Sequence, residues 1–219
     1  ENLVIPKVIA YKNIKNIEIL LIEWIDMHNF DQKKLGKGLG ELHLKSAESN
    51  PQMFGLPVEG FIGTTDQMKG LEDNWIDCFL NLRIIPQLLI LQSTILDKGT
   101  INKVKEKIKS ELMNHKPINA LVHGDLWSGN AGMDKSGKGV IYDPASWWAD
   151  NEVDIAMTRL FGGFKNEFYE EYHKIFPIKN GFEKRIIIYN FYHILNHANM
   201  FGGGYLKQVK DYVKAILNM

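Results

Sequence analysis

The 219-residue sequence predicts an α+β fold in which a mainly helical body follows a small sheet near the amino-terminal end. Two patterns support this prediction. Short apolar runs of β-compatible residues occur early in the chain, and apolar residues recur at helical spacing over most of the remainder. The composition is that of an ordinary globular protein, with 45% hydrophobic and 24% charged residues, and it excludes a disordered or collagen-like chain.

The charge balance and the cysteine content limit the classes of ligand and indicate the cellular compartment. The 26 basic and 26 acidic residues cancel, so no global field attracts nucleic acid or an anionic membrane surface. The single cysteine, Cys78, excludes an intramolecular disulfide and a cysteine-rich zinc site. Apolar runs are too short to span a bilayer and a secretory signal is not evident, so we expect a cytoplasmic protein without nucleic-acid or membrane partners.

The first half of the chain is predicted to contain two strands, a loop and three helical segments. Apolar β-compatible runs predict the strands, and apolar side chains on one face predict the helices. A segment rich in Gly, Pro, Asn and Thr predicts the loop, and Pro86 is expected to break or restart the second helix. The strands are placed at Val8–Tyr11 and Glu18–Trp24, the loop at Asn50–Gly70, and the helices at Asp31–Leu44, Leu71–Leu96 and Lys103–His115.

The second half is predicted to contain a hairpin followed by four helices. The strand Ala120–Val122 comes first, and a turn at Asp134–Gly139 leads into the strand Val140–Tyr142. The third helix is apolar nearly all round, so we expect it to lie in the core. The four helices are placed at Glu152–Phe161, Lys165–Ile175, Phe182–Phe201 and Lys207–Leu217.

The segment His123–Asn130 and the residues after the hairpin carry the polar groups that suggest chemistry. Asp125, Asn130 and Asp143 are three oxygen-bearing side chains that a loop and a hairpin can fold together. Mg²⁺ binds such oxygens, and a carboxylate beside the metal can accept a hydroxyl proton. The order His-x-Asp-x-x-x-x-Asn, a strand and then Asp is typical of the catalytic and metal-binding loops of the protein-kinase-like fold. The alternative is that these residues only cap strands and turns.

The sequence resembles the fructosamine kinase (ketosamine-3-kinase) family, in the aminoglycoside-phosphotransferase-like branch of the protein-kinase-like fold. The resemblance runs from about Val4 to Tyr205 and is most specific in three segments. These are HGDLWSGN at His123–Asn130, LFGGF at Leu160–Phe164 and NHANMFGGGY at Asn196–Tyr205. The resemblance implies a mainly helical C-lobe with a remnant of the N-lobe sheet and the hinge.

The resemblance also implies a role for each polar residue of the predicted loops. Asp125 is similar to the catalytic base that contacts the sugar hydroxyl, and Asn130 and Asp143 are similar to the Mg²⁺ ligands. Asp154 resembles the residue that binds the backbone of the catalytic loop, which is an architectural role. The implied cofactors are ATP and Mg²⁺.

Nucleotide and substrate contacts are implied at two further places. Glu23, Trp24 and Ile25 resemble the hinge, whose backbone carbonyl and amide groups bind adenine. Trp127 resembles a residue that stacks on the sugar, with a core tryptophan as the alternative. His197 belongs to the late motif and is expected to face the substrate cleft.

The resemblance divides the chain into residues 1–25, an N-lobe remnant with the hinge strand, and residues 26–219, the helical C-lobe with the catalytic loop and the metal-binding hairpin. The Gly-rich loop and the lysine of the kinase fold would precede Val8–Tyr11, so we expect most of the N-terminal lobe to be absent. The apolar sheet edge left exposed predicts aggregation, strand swapping or a homodimer. The chain departs from the family at Ala149–Asp150, where relatives commonly carry Gly-His, and we expect this to bear on the substrate side.

The implied function is transfer of the ATP γ-phosphoryl group to the 3-hydroxyl of a ketosamine such as fructosyl-lysine, in the repair of glycated protein. Two alternatives stay open. The same fold could phosphorylate another small molecule, such as an aminoglycoside, choline or a homoserine-like compound. Alternatively, the chain is a non-catalytic, truncated kinase lobe that acts as a binding module.

Two further motifs are assigned to packing rather than to chemistry. Gly36–Gly40 lies within a helical pattern and not between strands, so we expect close helix packing there. His193 and His197 lie four residues apart, as zinc ligands do on a helix, but a third ligand is not evident nearby. We therefore expect His193 to be a core residue.

Overall fold

The structure is a computed structural model that describes residues 2–15, 17–28, 31–49, 51–91 and 95–219. It confirms the α+β prediction, because short strands at the amino-terminal end and in the centre accompany long helices. Within these ranges, no helix combines the length and the apolar character needed to cross a membrane.

The amino-terminal strands confirm the two predicted apolar runs and add two short ones. The antiparallel pair β2–β3 continues through Lys12 to Ile14, and Lys15 follows it with a positive φ of 51°. The strands are β1 (Leu3–Val4), β2 (Val8–Ile14), β3 (Ile17–Ile22) and β4 (Met27–His28).

The segment after the first helix differs from the prediction. Helix α1 (Lys33–Glu48) is confirmed, but the predicted loop at Asn50–Gly70 contains short strands. The prediction was wrong because strands of three residues are too short to show an alternating pattern. The strands are β5 (Phe54–Leu56), β6 (Gly60–Ile62), β7 (Thr65–Gln67) and β8 (Gly70–Glu72).

The second predicted helix forms in three parts. Asn74 caps its start by accepting a hydrogen bond from the backbone N–H of Ile76 at 2.8 Å. Pro86 lies in the first turn of the last part, where its missing N–H is tolerated, so the helix restarts there as predicted. The parts are α2 (Trp75–Phe79), a π-helical turn (Leu80–Ile84) and α3 (Ile85–Leu91). The predicted continuation over 92–94 lies outside the described residues.

The remaining elements follow the predicted order, with two additional strands, Ala131–Asp134 and Trp147–Asp150. The first of these, and not the predicted strand at Ala120–Val122, forms the hairpin with Gly139–Ile141. A 3₁₀ turn over Ser128–Asn130 connects the loop that follows β9 to β10. The elements are α4 (Lys98–Leu112), β9 (Asn119–Val122), β10 (Ala131–Asp134), β11 (Gly139–Ile141), β12 (Trp147–Asp150), α5 (Glu152–Leu160), α6 (Asn166–Ile175), α7 (Phe182–Phe201) and α8 (Gly204–Leu217).

Two four-stranded sheets place the loops that matter for function. One has the order β1-β11-β10-β4 and contains the predicted hairpin, and the other has the order β8-β5-β12-β9. Strand β1 pairs in parallel with β11, so Leu3 and Val4 join the sheet of the later segment although the predicted division lies at residue 25. That division stays a prediction.

The core surrounds α7, which is buried on nearly every side as predicted. Tyr189, Phe191 and Leu195 are fully buried on this helix. Cys78 is also a core residue, since burial raises the pKa of its thiol to about 12 and removes thiolate chemistry.

Helix α1 packs closely against α6 through its glycines. A Cβ added at Gly36 would lie 2.1 Å from the backbone oxygen of Phe168, which is far inside contact distance. This confirms that the glycines of this segment serve helix packing and excludes their use as a phosphate-binding loop.

Candidate active site

The catalytic-loop segment begins directly after β9 and is fixed by one buried carboxylate. Asp154, at the start of α5, accepts hydrogen bonds from the backbone N–H groups of His123 at 2.7 Å and Gly124 at 2.8 Å. Gly124 has a φ of +83°, and a Cβ there would lie 2.1 Å from the backbone oxygen of Ala145. The loop can therefore turn at this point only with glycine, and Asp154 binds its backbone as the sequence implied.

A second layer of hydrogen bonds fixes Asp154 itself. His43 Nε2 lies 3.1 Å from Asp154 Oδ2, and His43 Nδ1 lies 2.9 Å from the hydroxyl of Tyr172. Burial raises the pKa of Asp154, but the hydrogen bond and charge of His43, the charge of His123 and the N–H of Gly124 outweigh it, so the pKa is lowered. Asp154 is therefore an ionised acceptor in the core.

The structure brings the three predicted oxygen-bearing residues together in one cluster, here called the polar cluster: Asp125, Asn130 and Asp143. The Asn130 amide nitrogen lies 3.0 Å from the backbone oxygen of Asp125, 3.3 Å from its Oδ2 and 3.4 Å from the backbone oxygen of Asp143. The Asn130 amide nitrogen therefore connects the loop of Asp125 to the loop of Asp143. The amide oxygen of Asn130 stays available to another partner.

The Asp125 carboxyl is perturbed by its surroundings. Its pKa is raised from 3.8 to about 6, mainly by burial and also by the negative charges of Asp143 and Asp154, while the hydrogen bond from Asn130 opposes the change. A carboxylate with this pKa is largely ionised at pH 7 but is a stronger base than an exposed aspartate. These are the properties expected of a general base.

Asp143 has the backbone and exposure expected of a ligand residue. Its φ is +56°, an uncommon value for a residue other than glycine, and its side chain is exposed at the end of β11. Across the described part of the chain, nothing donates a hydrogen bond to its carboxylate. The Asp143 carboxylate and the Asn130 amide oxygen are both hard donors, so this donor set fits Mg²⁺.

A cavity of about 800 Å³ lies beside the polar cluster. Its wall contains the three residues predicted as the hinge, Glu23, Trp24 and Ile25, and on the other side Val140 and Tyr142. Tyr142 directly precedes the exposed carboxylate of the polar cluster. The cavity wall therefore joins the predicted hinge to the residue before Asp143, while the three residues of the polar cluster lie outside the wall.

The hinge segment is extended and its side chains largely face solvent. The backbone N–H of Glu23 donates to the backbone oxygen of Lys7 at 2.8 Å, which joins the two ends of the β2–β3 pair. Trp24 is 87% exposed, and its indole N–H donates to Asp26 at 2.9 Å. An exposed side chain leaves only backbone groups of this residue to recognise a ligand in the cavity.

Trp127 and His197 both contact the Phe161 ring. Trp127 is 40% exposed, which excludes the alternative of a core tryptophan. The centroid of its ring lies 6.4 Å from that of Phe161, and the His197 ring lies 5.2 Å beyond Phe161. His193 is fully buried, as expected, and burial lowers its pKa to about 3.

The departure at Ala149–Asp150 lies in the core and not in the substrate cleft. Asp150 is fully buried and accepts hydrogen bonds from His115 Nε2 and the Tyr189 hydroxyl, each at 2.7 Å. Glu152 lies beside it and pairs with the Arg185 guanidinium at 2.9 Å. The ligand atoms of His115, Asp150 and Glu152 lie within 4.8 Å of one another, but these partners make the group a buried ion-pair network.

Sequence reasoning missed the residues that brace the catalytic loop. His43 was placed on a helix without a role, although it contacts Asp154. Tyr142 was a strand residue only, yet its backbone oxygen accepts from His123 Nε2 at 2.9 Å and its hydroxyl donates to the backbone oxygen of Gly129. The only sequence signal for His43 and Tyr142 was that each lies next to a segment already recognised in the sequence.

The fold is protein-kinase-like. A choline kinase of Streptococcus pneumoniae has the same fold, with a TM-score of 0.59 at 15% identity over 91% of this chain and 70% of that one. The crystal structure of a Haemophilus somnus protein assigned as a fructosamine-3-kinase is more similar. Its TM-score is 0.88 at 26% identity, over 99% of this chain and 74% of that one.

The chain belongs to the fructosamine kinase family, whose model matches residues 1–219. A probable ketoamine kinase of Synechocystis is 38% identical over 98% of this chain and 73% of its own length. The ketosamine-3-kinase of Mus musculus is 32% identical over 85% of this chain and 69% of its own length. The resemblance inferred from the three sequence segments is thereby confirmed.

Proposed function

We propose that this protein is an ATP-dependent kinase that phosphorylates the 3-hydroxyl of ketosamines, such as the fructosyl-lysine formed by glycation. The name of the Mus musculus relative specifies a ketosamine acceptor and position 3. The observation that carries the proposal is the polar cluster itself. It combines a perturbed carboxylate, Asp125, with two hard oxygen donors on neighbouring loops.

The proposed step is an in-line phosphoryl transfer. The acceptor hydroxyl oxygen forms a bond to the γ-phosphorus of ATP while the bond from that phosphorus to the bridging oxygen of ADP breaks. Asp125 orients the hydroxyl and takes its proton, so that a neutral alcohol becomes a phosphate ester and ADP leaves. The N–H groups held by Asp154 keep the loop in place and therefore keep Asp125 at a constant position.

Asn130 and Asp143 are the residues that would hold Mg²⁺, and the bound ion would neutralise charge on the phosphates. The Asn130 amide nitrogen is engaged with Asp125 and Asp143 backbone oxygens, which leaves the amide oxygen on its opposite side. Glu23, Trp24 and Ile25 would recognise adenine through their backbone groups in the cavity.

Replacing Asp125 with alanine tests the proposed base. We expect turnover of fructosyl-lysine to fall by about 10²–10⁴-fold, because proton removal and hydroxyl orientation are both lost. ATP affinity should stay within about twofold, since Asp125 is not in the cavity wall. An ADP-release assay with Mg²⁺-ATP measures turnover, and calorimetry measures ATP binding. Asp211→Ala, an exposed acidic residue on α8, is the control.

Three results would count against the proposal. Retained turnover in Asp125→Ala removes the assigned base. In the same assay, turnover of choline or an aminoglycoside by the wild type without turnover of fructosyl-lysine favours the other small-molecule acceptors. Binding of ATP without turnover of any acceptor favours the non-catalytic lobe.

A further inference from the structure

A continuous row of aromatic rings extends outward from Trp127 along the surface. We call it the aromatic strip and define it by Phe161, His197, Phe201 and Tyr205. The His197 ring centroid lies 5.2 Å from Phe161, 5.7 Å from Phe201 and 5.0 Å from Tyr205. Phe161 in turn contacts Trp127 at 6.4 Å. Each ring touches the next, so the strip begins beside the proposed sugar-stacking residue.

The first ring is presented by a loop that the catalytic segment supports. Gly162 and Gly163 follow Phe161 with φ values of +71° and +92°, which turn the chain sharply after the ring. A Cβ at Gly163 would lie 2.4 Å from the Ser128 side chain, so this loop rests directly on the catalytic loop. Gln32 binds the same loop by donating to the Gly163 oxygen at 3.2 Å. Phe161 therefore keeps a constant position relative to Trp127.

The other end of the strip lies at the corner between α7 and α8. Helix α7 ends at Phe201, and Gly202 and Gly203 adopt φ values of +60° and +54° before α8 begins. This reversal brings Tyr205 back to within 6.2 Å of the Phe201 ring. The two segments that identify the family besides the catalytic loop thus both deliver aromatic rings to one surface.

The aromatic strip includes large side chains that are exposed to solvent. Phe161 is 41% exposed and Phe201 is 63% exposed, next to Trp127 at 40%. Contiguous exposed aromatic surface beside a site marks a binding surface more often than chance exposure does. Ring faces attract cations and provide apolar contact for alkyl chains.

His197 adds one directed polar group to this surface. Its Nδ1 lies 2.8 Å from the backbone oxygen of His193, and because a carbonyl only accepts, Nδ1 carries the proton. In this tautomer Nε2 is an acceptor. An ammonium or a hydroxyl group in contact with the strip can donate to it.

We propose that the aromatic strip binds the amine-bearing part of the acceptor, beyond its sugar. This inference rests on the proposed function, in which Asp125 and Trp127 hold the sugar. The nitrogen of a ketosamine is a secondary ammonium attached to the sugar, and in fructosyl-lysine it continues into a flexible four-carbon chain. The strip is continuous with Trp127 and offers ring faces for the ammonium and apolar surface for the chain. It therefore selects ketosamines with an extended amine substituent.

The test compares two acceptors, fructosyl-lysine and fructosyl-methylamine, in binding and in turnover. We expect the wild type to prefer fructosyl-lysine by about 10-fold in affinity, since several methylenes gain contact. In Phe161→Ala/Phe201→Ala this preference should fall to about twofold or less. The change should appear in KM with kcat nearly unchanged, because the contacts are equal in ground and transition states.

Two control variants keep the test specific. Phe201→Tyr retains the ring and should retain the preference. Ile178→Ala removes an exposed apolar side chain of similar exposure, 58%, on a different surface and should change neither acceptor. Thermal unfolding of each variant checks that the fold is intact. We expect an intact fold because the replaced side chains are exposed.

The outcomes separate the inference from the proposed function. Turnover of both acceptors with a preference that survives in the double variant overturns the aromatic strip and leaves the proposed function standing. Equal affinity of the wild type for both acceptors also overturns the aromatic strip and leaves the proposed function standing. If the wild type neither binds nor phosphorylates either acceptor, the proposed function and the inference fall together.

Discussion

The β2–β3 hairpin and the catalytic loop are opposite extremes of this molecule in how firmly the core holds them. Every described residue of the two hairpin strands is exposed, including Ile9, Leu20 and Leu21 at 63%, 58% and 53%. By contrast, the catalytic loop is fixed to the core by Asp154, and its flanking residue His123 is 3% exposed. One region has apolar side chains without cover, and the other has a backbone that buried side chains hold in place.

The difference shows where the fold determines geometry. A two-stranded hairpin in water is marginally stable by itself, so its position depends on what covers it. The loop that carries Asp125 is held by groups from α1, α5 and α6, and its shape is a property of the core. The acceptor side of the site is therefore built into this chain more firmly than the adenine side.

Removing the anchor of the loop should have the largest effect on stability. Asp154→Ala leaves the N–H groups of His123 and Gly124 and the ring of His43 without their buried acceptor. We expect a loss of about 3–5 kcal/mol in the free energy of unfolding, measured by urea denaturation. Turnover should fall as well, since the loop carrying Asp125 loses its support.

Two companion variants sharpen this result. Asp154→Asn keeps one acceptor oxygen and should lose less stability than the alanine variant. Asp211→Ala, an exposed acidic residue, should stay within about 0.5 kcal/mol of the wild type. An alanine variant as stable as the wild type would mean that the core does not depend on this carboxylate.

An intermediate effect of opposite sign is expected at Asp125. Because burial and neighbouring acids raise its pKa from 3.8 to about 6, the folded protein binds this proton more tightly than the unfolded chain. The contribution of Asp125 to stability should therefore decrease as the pH rises from about 4 to about 6. Asp125→Asn removes that cost and should be more stable at pH 7 by about 1–2 kcal/mol, discounted for partial solvation.

The pH dependence distinguishes this cause from a packing effect. The extra stability of Asp125→Asn should be complete above about pH 6 and disappear as the pH falls below about 4. Urea denaturation of the metal-free protein at both pH values measures it. A gain of equal size at both pH values contradicts the electrostatic explanation.

The smallest effect on stability is expected at the hairpin, where we propose self-association. Ile19→Lys/Leu21→Lys places charge on one apolar face of β3, whose side chains are 46% and 53% exposed. The unfolding free energy should change by less than about 0.5 kcal/mol, since few contacts are lost. Sedimentation should show a homodimer in the wild type and a monomer in the variant.

The control for that comparison is Ile178→Lys, which adds the same charge at an exposed site away from the hairpin. Its sedimentation should match that of the wild type. A wild type that is monomeric at all concentrations removes the proposed homodimer and leaves the fold description unchanged.

The long elements and the polar cluster could be predicted from the sequence because their signals are local. Helix α7 shows its burial in an almost unbroken apolar run, and Asp125 and Asn130 lie together after a strand. Three points stay predictions, because the geometry of a single chain does not test them. They are the division of the chain at residue 25, the ligand roles and the homodimer.

Other features could not be predicted because they depend on distant parts of the chain. Strand β5 has three residues and pairs with β8 and β12, which lie far apart in the sequence. Asp150 was assigned to the substrate side from a comparison of motifs, but its partners His115 and Tyr189 lie 35 and 39 residues away. Arg83 is 1% exposed and stacks 4.1 Å above Trp147, which no local pattern indicates.

The bracing of Asp154 also bears on how the protein folds. His43 and Asp154 are 111 residues apart, and His43 and Tyr172 are 129 residues apart, so these contacts close very long loops. Such contacts form late because chain entropy must be overcome before they contribute. The loop that carries the reactive carboxylate thus acquires its shape in the last steps of chain collapse, and a half-folded chain has helices but no working centre.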